Sequence, residues 1–266
     1  MDILRAAIIG AEGTPYHDGL FFFDVCFPRD YPNSPPLVKY HSGGLHINPN
    51  LYKSGKVCLS LLNTWKGGNK EKWLPDTSTM LQVLVSIQGL ILNTKPYFNE
   101  PGFAHLIGNV HGERRSLEYN ERILPLSLKT MVYTMNKPPK NFEELVVGHF
   151  RNRVGDILMA CKAYMEGVQV GCFVRGGVQI IDNGDTKRSA QFKNSISTYI
   201  KTLVAAFKKI GANEADEFLN LREKKFSELL QHYLHRYQLL LILLVIVVFS
   251  LSFFPKLKLV NFDKII

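Results

Sequence analysis

The stretch NPNLYKSGKVCLSLLNTW, residues 48–65, carries the pattern on which the interpretation of this chain depends. It places Cys58 eight positions after Asn50 and directly before a short apolar run. A cysteine thiol can act as a nucleophile, and a nearby asparagine amide can hold a loop or donate a hydrogen bond to a developing oxyanion. A lone cysteine among leucines is more often packed than reactive, so the flanking segments have to decide between the two roles.

Upstream of this stretch, three segments rich in aromatic and β-branched residues predict strands at Ile3–Ile9, Leu20–Phe27 and Leu37–Tyr40. The short, turn-rich connections between them favour an antiparallel meander with one buried face. Downstream, the sequence Pro75–Ser78 is typical of a helix start, and Thr79–Leu92 predicts a helix that is apolar on most sides. Such a helix belongs in a core, packed on the meander.

The second half of the chain predicts further helices, at residues 113–136, 141–168, 186–210 and 214–236, with a short strand-like or turn segment, VGCFVRGGVQII, after the second of them. Near the end, Leu239–Phe254 is a run of sixteen residues that are apolar except for two serines. As a helix it would span roughly 24 Å, less than the roughly 30 Å of a bilayer core. Three interpretations stay open for this run: a membrane anchor, a buried helix and an artefact of gene-model joining.

Charge and cysteine content exclude several classes of function. Residues 1–130 hold 13 Lys and Arg against 11 Asp and Glu, whereas residues 131–266 hold 19 against 12. The front half therefore gives no electrostatic case for nucleic acid. The basic surplus beside the apolar run suits anionic lipid or an acidic partner better than DNA, and a solvated basic helix face is the commoner explanation of such a surplus. The four cysteines include no CxxC pair, which argues against a disulfide framework and a zinc site. Cys26 and Cys161 are interpreted as small core residues.

Taken together, the turn YPNSPP (residues 31–36), Asn50, Cys58 and the loop from Trp73 to Pro75 come in an order and spacing that resemble the catalytic core of ubiquitin-conjugating (E2) enzymes. The resemblance covers about residues 1–170. With its long polar loop up to Trp73, the chain is similar to the large class that combines E2 and E3 activity. That class includes the plant phosphate-homeostasis conjugating enzyme and animal E2/E3 hybrids. The resemblance implies an α+β ubiquitin-conjugating (UBC) fold, in which an antiparallel meander packs on a central helix and C-terminal helices follow.

The resemblance also implies a mechanism and its partners. Cys58 would accept ubiquitin as a thioester from an E1 activating enzyme and pass it to a lysine of a protein substrate. Asn50 would stabilise the loop around the thioester and the oxyanion formed on attack. No metal, nucleotide or other cofactor is expected, because the activating enzyme uses the ATP. The residues that would contact an E3 ligase or ubiquitin are Tyr31, Pro32, Pro35, Pro36, Trp73 and Pro75.

The sequence departs from the family pattern at several positions. Asn48 stands where the family commonly has histidine, so the loop must be organised differently. Ser60 stands where many E2 enzymes carry aspartate, which leaves Glu71 and Asp76 as unassigned alternatives for an acidic group. Asn33 replaces a large apolar residue that follows the first proline of the turn. The chain also begins within what resembles the second strand of the fold, without the N-terminal helix and first strand, and this predicts weaker charging by E1.

The expected organisation is a conjugating core at residues 1–136, a C-terminal helical extension of that core at 137–212, and a charged helix with the apolar tail at 213–266. Reduced thiols and the lack of a signal peptide indicate a cytoplasmic protein. Two alternatives remain beside the soluble enzyme: a non-catalytic E2-like binding module, and an E2 tethered to the endoplasmic reticulum through Leu239–Phe254 with its catalytic domain in the cytosol. Hydrolysis by a Cys58–His46 pair is a distant fourth, because no orienting third residue stands at a recognisable spacing.

Overall fold

The three strands predicted before Cys58 form one antiparallel sheet with the order β1-β2-β3. The structure is a computed structural model, and it describes residues 3–65, 68, 71–174, 177–178 and 190–216. The strands are β1 (Ile3–Ile9), β2 (Leu20–Cys26) and β3 (Leu37–Tyr40). Two of the three predicted spans match the structure, and the second strand ends one residue earlier than predicted. In the register, Ile9 pairs with Leu20, and Cys26 pairs with Leu37.

Helices dominate the chain after the sheet. They are α1 (Met80–Ser86), α2 (Val110–Asn136), α3 (Glu143–Arg151), α4 (Val154–Met165) and α5 (Ala190–Lys209). Helix α1 continues as a π-helix at Ile87–Ile91. Short 3₁₀ helices lie at Ser60–Leu62, Pro96–Asn99 and Pro101–Leu106, and the two-residue strands β4 and β5 are Phe173–Val174 and Gly177–Val178.

Helix α1 begins with a capping box and packs one face against the sheet. The Thr79 side chain accepts from the Gln82 backbone N–H, and the Gln82 side chain accepts from the Thr79 N–H. The core cluster joins this helix to the sheet through Val83, Ile87, Ile91, Phe21, Phe23 and Tyr40. The prediction of a helix buried on most sides is wrong, because the opposite face is exposed at Leu81, Val85 and Leu90.

The single helix predicted at 141–168 is also wrong, since the structure divides it into α3 and α4 at Asn152 and Arg153. The backbone leaves the helical path at Arg153, where φ is −119° and ψ is 2°. The Arg153 guanidinium donates to the Asp18 carboxylate at 2.8 Å, and the His149 Nε2 lies 2.8 Å from the Asp18 carbonyl oxygen. These bonds span more than a hundred residues, so neighbouring residues in the sequence do not predict the break.

Asp18 belongs to a buried polar cluster that ties the β1–β2 connection to α3 and α4. Its carboxylate lies 2.8 Å from His17 Nδ1, and His17 Nε2 lies 2.9 Å from the hydroxyl of Tyr164. Burial raises the pKa of Asp18, but the hydrogen bond and charge of His17, with the charges of Arg153 and His149, outweigh it and bring this pKa below 3.8. The cluster therefore holds an ionised carboxylate inside the protein at neutral pH.

The chain divides into two units by its internal contacts. The first comprises residues 1–175 and 179–220, and the second comprises 176–178 and 221–266. The boundaries predicted at 136 and 212 stay a prediction. Among the described residues, no helix is long and apolar enough to cross a membrane. The apolar run Leu239–Phe254 and most of the helix predicted at 214–236 lie outside the described residues.

Candidate active site

The segment Asn48–Cys58, called the cysteine loop here, folds back on itself beside strand β3. Leu51 forms an antiparallel bridge with Val57, and the backbone N–H of Cys58 donates to the carbonyl of Asn50 at 2.9 Å. Gly55 makes the turn, with a φ of +89° that favours glycine. A Cβ at this position would lie 2.7 Å from the carbonyl oxygen of Tyr40. The loop therefore has one tight backbone path, which brings residues 50 and 58 together.

Asn48 anchors the loop from inside the protein, where its side chain is fully buried. Its amide nitrogen donates to the Tyr16 hydroxyl at 2.9 Å and to the Ile91 carbonyl at 2.7 Å. Its amide oxygen accepts from the backbone N–H of Asn50 at 2.9 Å and lies 3.4 Å from the Asn99 amide nitrogen. An amide supplies both donors and acceptors, so Asn48 connects the core, the end of the π-helix and the cysteine loop.

Asn50 and Cys58 meet directly. The Asn50 amide nitrogen donates to the Cys58 backbone carbonyl at 3.0 Å, and its amide oxygen is buried without a hydrogen-bond partner among the described residues. An amide group has two N–H donors, so one remains for an oxyanion while the other holds the loop. Thr64, which the sequence reasoning missed, fixes the other side. Its hydroxyl donates to Val57 O at 2.6 Å and accepts from Leu59 N at 3.0 Å.

Tyr52 neighbours the Cys58 side chain. Cys58 is only 3% exposed, whereas Tyr52 is 41% exposed. A hydrogen bond with Cys58 raises the pKa of the Tyr52 phenol, and the charge of Glu100 adds to this increase. The ring is otherwise flanked by Lys56 Nζ, 5.6 Å from its centroid, and by the His46 ring at 6.1 Å.

Comparisons with known proteins agree with this geometry. The family model described as ubiquitin-conjugating enzyme matches residues 1–123, which contain the sheet, the cysteine loop and α1. The Arabidopsis thaliana protein named putative ubiquitin-conjugating enzyme E2 38 is 57% identical over 217 residues, covering 82% of this chain and 67% of that protein. The chain belongs to the ubiquitin-conjugating enzyme family.

Two further relatives show how much of a family member the chain represents. The probable ubiquitin-conjugating enzyme E2 25 of Arabidopsis thaliana is 59% identical over 204 residues, and the match covers 77% of this chain but 34% of that protein. The human dual E2 ubiquitin-conjugating enzyme/E3 ubiquitin-protein ligase BIRC6 is 46% identical over 173 residues, 64% of this chain and 4% of that protein. The chain thus spans about a third of the first relative's length.

In this member of the ubiquitin-conjugating enzyme family, the two segments predicted to contact an E3 ligase come together. The Tyr31 ring lies 5.8 Å from the Trp73 ring, and the Trp73 indole N–H donates to the Pro32 carbonyl at 2.7 Å. Tyr31 is exposed and Trp73 is buried, so Trp73 packs on the inner side of the turn at residues 31–36. The other prolines differ in exposure: Pro75 is exposed, Pro35 is half-buried and Pro36 is buried.

Glu100, which the sequence reasoning also missed, lines the same groove as Pro49 of the cysteine loop. Ser60 begins a 3₁₀ helix, and the Glu71 carboxylate accepts from a backbone N–H within its own loop at 3.2 Å. Asp76 is exposed and adopts a left-handed backbone with φ of +63°. Glu100, by contrast, acts on the Tyr52 phenol through its charge. The motif NEPG around it gave no signal, because residues 49 and 100 come together only in the folded chain.

Three further candidates concern His46, groups that could hold a metal ion, and the other cysteines. Within the described parts of the chain, no hydrogen bond joins His46 to Cys58, and no group of His, Cys, Asp and Glu is arranged to hold a metal ion. Cys161 is fully buried, and burial raises the pKa of its thiol to about 12. Cys161 is thus a core residue as predicted, whereas Cys26 is only half-buried.

Proposed function

We propose that this chain is the conjugating part of an E2 enzyme that carries ubiquitin as a thioester on Cys58 and transfers it to substrate lysines. One observation supports this most: the Asn50 side chain is bonded to the backbone of Cys58 within a loop that the protein core holds in place. The family membership of the chain supports the same reaction.

The chemistry is two successive acyl transfers. In the first, the Cys58 sulfur attacks the carbonyl carbon of the thioester between ubiquitin and E1. A new C–S bond forms to Cys58, and the E1 sulfur leaves as a thiolate. In the second, a lysine amine attacks the same carbon, the C–N bond forms and the Cys58 sulfur leaves. The amine gives its proton to solvent or to a nearby carboxylate, and the free N–H of Asn50 stabilises the oxyanion in between.

The thioester assay tests this proposal. The full chain is incubated with E1, ATP and ubiquitin, and the products are separated with and without reductant. The expected result is one adduct that reductant cleaves. Cys58→Ser should give at most an adduct that reductant does not cleave, and Cys26→Ser, which changes a half-buried cysteine outside the loop, should charge like the parent. If the parent forms no reductant-sensitive adduct, or Cys58→Ser still forms one, the chain is not an E2 of this mechanism.

The alternative is a non-catalytic module that binds ubiquitin without forming a bond. The 3% exposure of Cys58 is the observation in its favour. The intact cysteine, the bonded asparagine and the family membership favour the enzyme instead. Binding of free ubiquitin by a chain that forms no adduct would support the module.

We also propose that the chain acts in the cytoplasm, as an E2 with intrinsic E3 activity. The four cysteines are free, which suits a reducing compartment. The dual activity is suggested by the name of the human relative, and it predicts substrate ubiquitination without a separate E3. Attachment to an internal membrane through Leu239–Phe254 rests on the composition of that run.

A further inference from the structure

Strand β1 forms one edge of the three-stranded sheet, and its outer side is open. At the opposite edge, Lys39 of β3 forms an antiparallel bridge with Lys56 of the cysteine loop. Within the described ranges, no segment pairs with the outer side of β1 in this way. An open strand edge presents unpaired N–H and C=O groups, and these groups can bind a further extended strand.

The pairing of β1 with β2 determines which backbone groups of β1 point outward. The N–H of Gly10, directly after β1, donates to the carbonyl of the residue before β2 at 2.9 Å. Because these groups alternate in direction along an antiparallel strand, Arg5, Ala7 and Ile9 direct theirs away from β2. The Ile9 carbonyl agrees with this, since it accepts from the Gln88 side chain at 3.2 Å. The outward groups of Arg5 and Ala7 have no hydrogen-bond partner among the residues that the structure describes.

The sequence of β1 does not protect this edge against pairing. It reads ILRAAII, with no proline and no lysine, and its one charged residue is Arg5. The Arg5 guanidinium is directed toward β2, where its Nε lies 2.6 Å and its Nη2 3.2 Å from the Asp24 carboxylate. Ile3, Leu4 and Ile9 are all exposed along the strand. The edge is therefore apolar, and its one charge is already neutralised by an ion pair.

Helix α1 extends this apolar surface. Leu81 and Val85 are exposed and stand four residues apart, so they share one face of the helix. Gln88, about one turn further along, is the residue whose side chain reaches the Ile9 carbonyl. This face of α1 therefore lies on the same side of the protein as the open edge. A partner that pairs with β1 covers apolar side chains as well as backbone groups.

We propose that two copies of this chain associate through their β1 strands, which pair antiparallel across a twofold axis and join the two sheets into one. Only one register pairs Ile3–Ile9 along its whole length, and it places Arg5 opposite Ala7 of the second copy. The outward groups of these two residues then bond to each other on both sides of the axis. A register shifted so that Arg5 faces Arg5 would place like charges opposite each other, which is unfavourable. The inference does not depend on the chemistry of Cys58.

Disulfide cross-linking tests this register in the full chain carrying Cys26→Ser and Cys58→Ser. The proposed pairing places the two copies of Ala6 opposite each other, with Cα atoms about 4.5 Å apart, whereas the two copies of Leu4 are about 13 Å apart. A disulfide needs Cα atoms within about 7 Å, so Ala6→Cys should cross-link about tenfold faster than Leu4→Cys under mild oxidation. Leu4 is exposed and Ala6 is half-buried, so random collisions would favour Leu4→Cys instead.

Sedimentation equilibrium tests the role of the backbone. The full parental chain should form a dimer, and Ala7→Pro should raise the dissociation constant by at least about tenfold, because it removes one outward N–H from each copy. The bonds between β1 and β2 stay intact in this variant, since the N–H of Ala7 points away from β2. Ala7→Val changes the same side chain but keeps the N–H, and it should dimerise like the parent.

Each outcome decides the inference. Leu4→Cys cross-linking as fast as Ala6→Cys, or no cross-link in either variant, would overturn it. A parental chain that stays monomeric at the concentration used for cross-linking would also overturn it, since the edge is then open or covered by the chain itself. A dimer that Ala7→Pro leaves unchanged would show that the copies meet through another surface. If circular dichroism shows that Ala7→Pro does not fold, the comparison of Ala6→Cys with Leu4→Cys decides alone.

Discussion

Replacing Asn48 with alanine is expected to destabilise the protein and to loosen the cysteine loop. Asn48 is fully buried, and four neighbours bond to its amide: Tyr16, Asn50, Ile91 and Asn99. The cost depends on which of these neighbours keep another partner, because a buried polar group without any partner is what costs most.

Three of the four neighbours, Tyr16, Ile91 and Asn99, stay bonded in Asn48→Ala. The Tyr16 hydroxyl still donates to the Ile47 carbonyl at 2.8 Å, and the Ile91 carbonyl still accepts from the Asn99 amide at 3.0 Å. The backbone N–H of Asn50 loses its acceptor. The N–H left without a partner, together with the bonds lost from groups that keep other partners, should lower the free energy of unfolding by about 2–3 kcal/mol.

Asn48→Asp provides the sharper comparison. A carboxylate has the same shape but only accepts, so an oxygen would face the Ile91 carbonyl oxygen across the present 2.7 Å contact. An unpaired buried charge costs about 3–5 kcal/mol, so Asp is expected to destabilise more than Ala.

Urea denaturation at neutral pH measures the free energy of unfolding of both variants, and Asn33→Ala is the control because Asn33 is exposed. The rate of Cys58 charging, measured where each variant is folded, should also fall, since Asn50 loses its anchor. The reasoning is refuted if Asn48→Ala costs less than about 1 kcal/mol, or if the aspartate variant is as stable as the alanine variant.

Three further predictions concern other parts of the chain. Asp18→Asn should lower the free energy of unfolding by about 3 kcal/mol at pH 7, because it removes the charge that pairs with the Arg153 guanidinium inside the protein. Since the folded-state pKa of Asp18 lies below 3.8, this stabilisation of the parent is present above pH 3.8 and is lost as the pH falls through the lower folded-state pKa. Denaturation at several pH values measures it. Tyr52→Ala should raise the rate of iodoacetamide alkylation of Cys58 by roughly fivefold, because Cys58 is only 3% exposed and the neighbouring ring is lost. Tyr52→Phe keeps the ring and should raise the rate less. An unchanged rate in Tyr52→Ala would show that Tyr52 does not cover the sulfur. The full chain should sediment with membranes and a chain ending at Arg236 should not, if Leu239–Phe254 is an anchor; equal solubility of the two rules the anchor out.

The local chemistry of the sequence was enough to place the sheet and to predict that Asn50 and Cys58 lie close together. Strands β1 and β3 have their predicted bounds, because turn residues end them and β-branched or aromatic residues fill them. Asn50 and Cys58 are separated by a turn that a glycine makes, and this is why a pattern of a few letters indicated that they meet.

Contacts between distant segments decided the rest. The bonds from His149 and Arg153 to Asp18 end α3, although the letters around residue 152 continue a helical pattern. The role of Asn48 likewise depends on Tyr16 and on the end of the π-helix, which reach it from other elements.

The sequence by itself predicted the family and the strands before residue 41 correctly, and it singled out Cys58 as the candidate nucleophile. Only the tertiary structure showed that Asn48 anchors the cysteine loop to the core and that Glu100 and Pro49 line the same groove. Local propensities and short turns act between neighbours in the chain, so they can be recognised from letters. Burial and electrostatic contact depend on which distant segments the fold brings together.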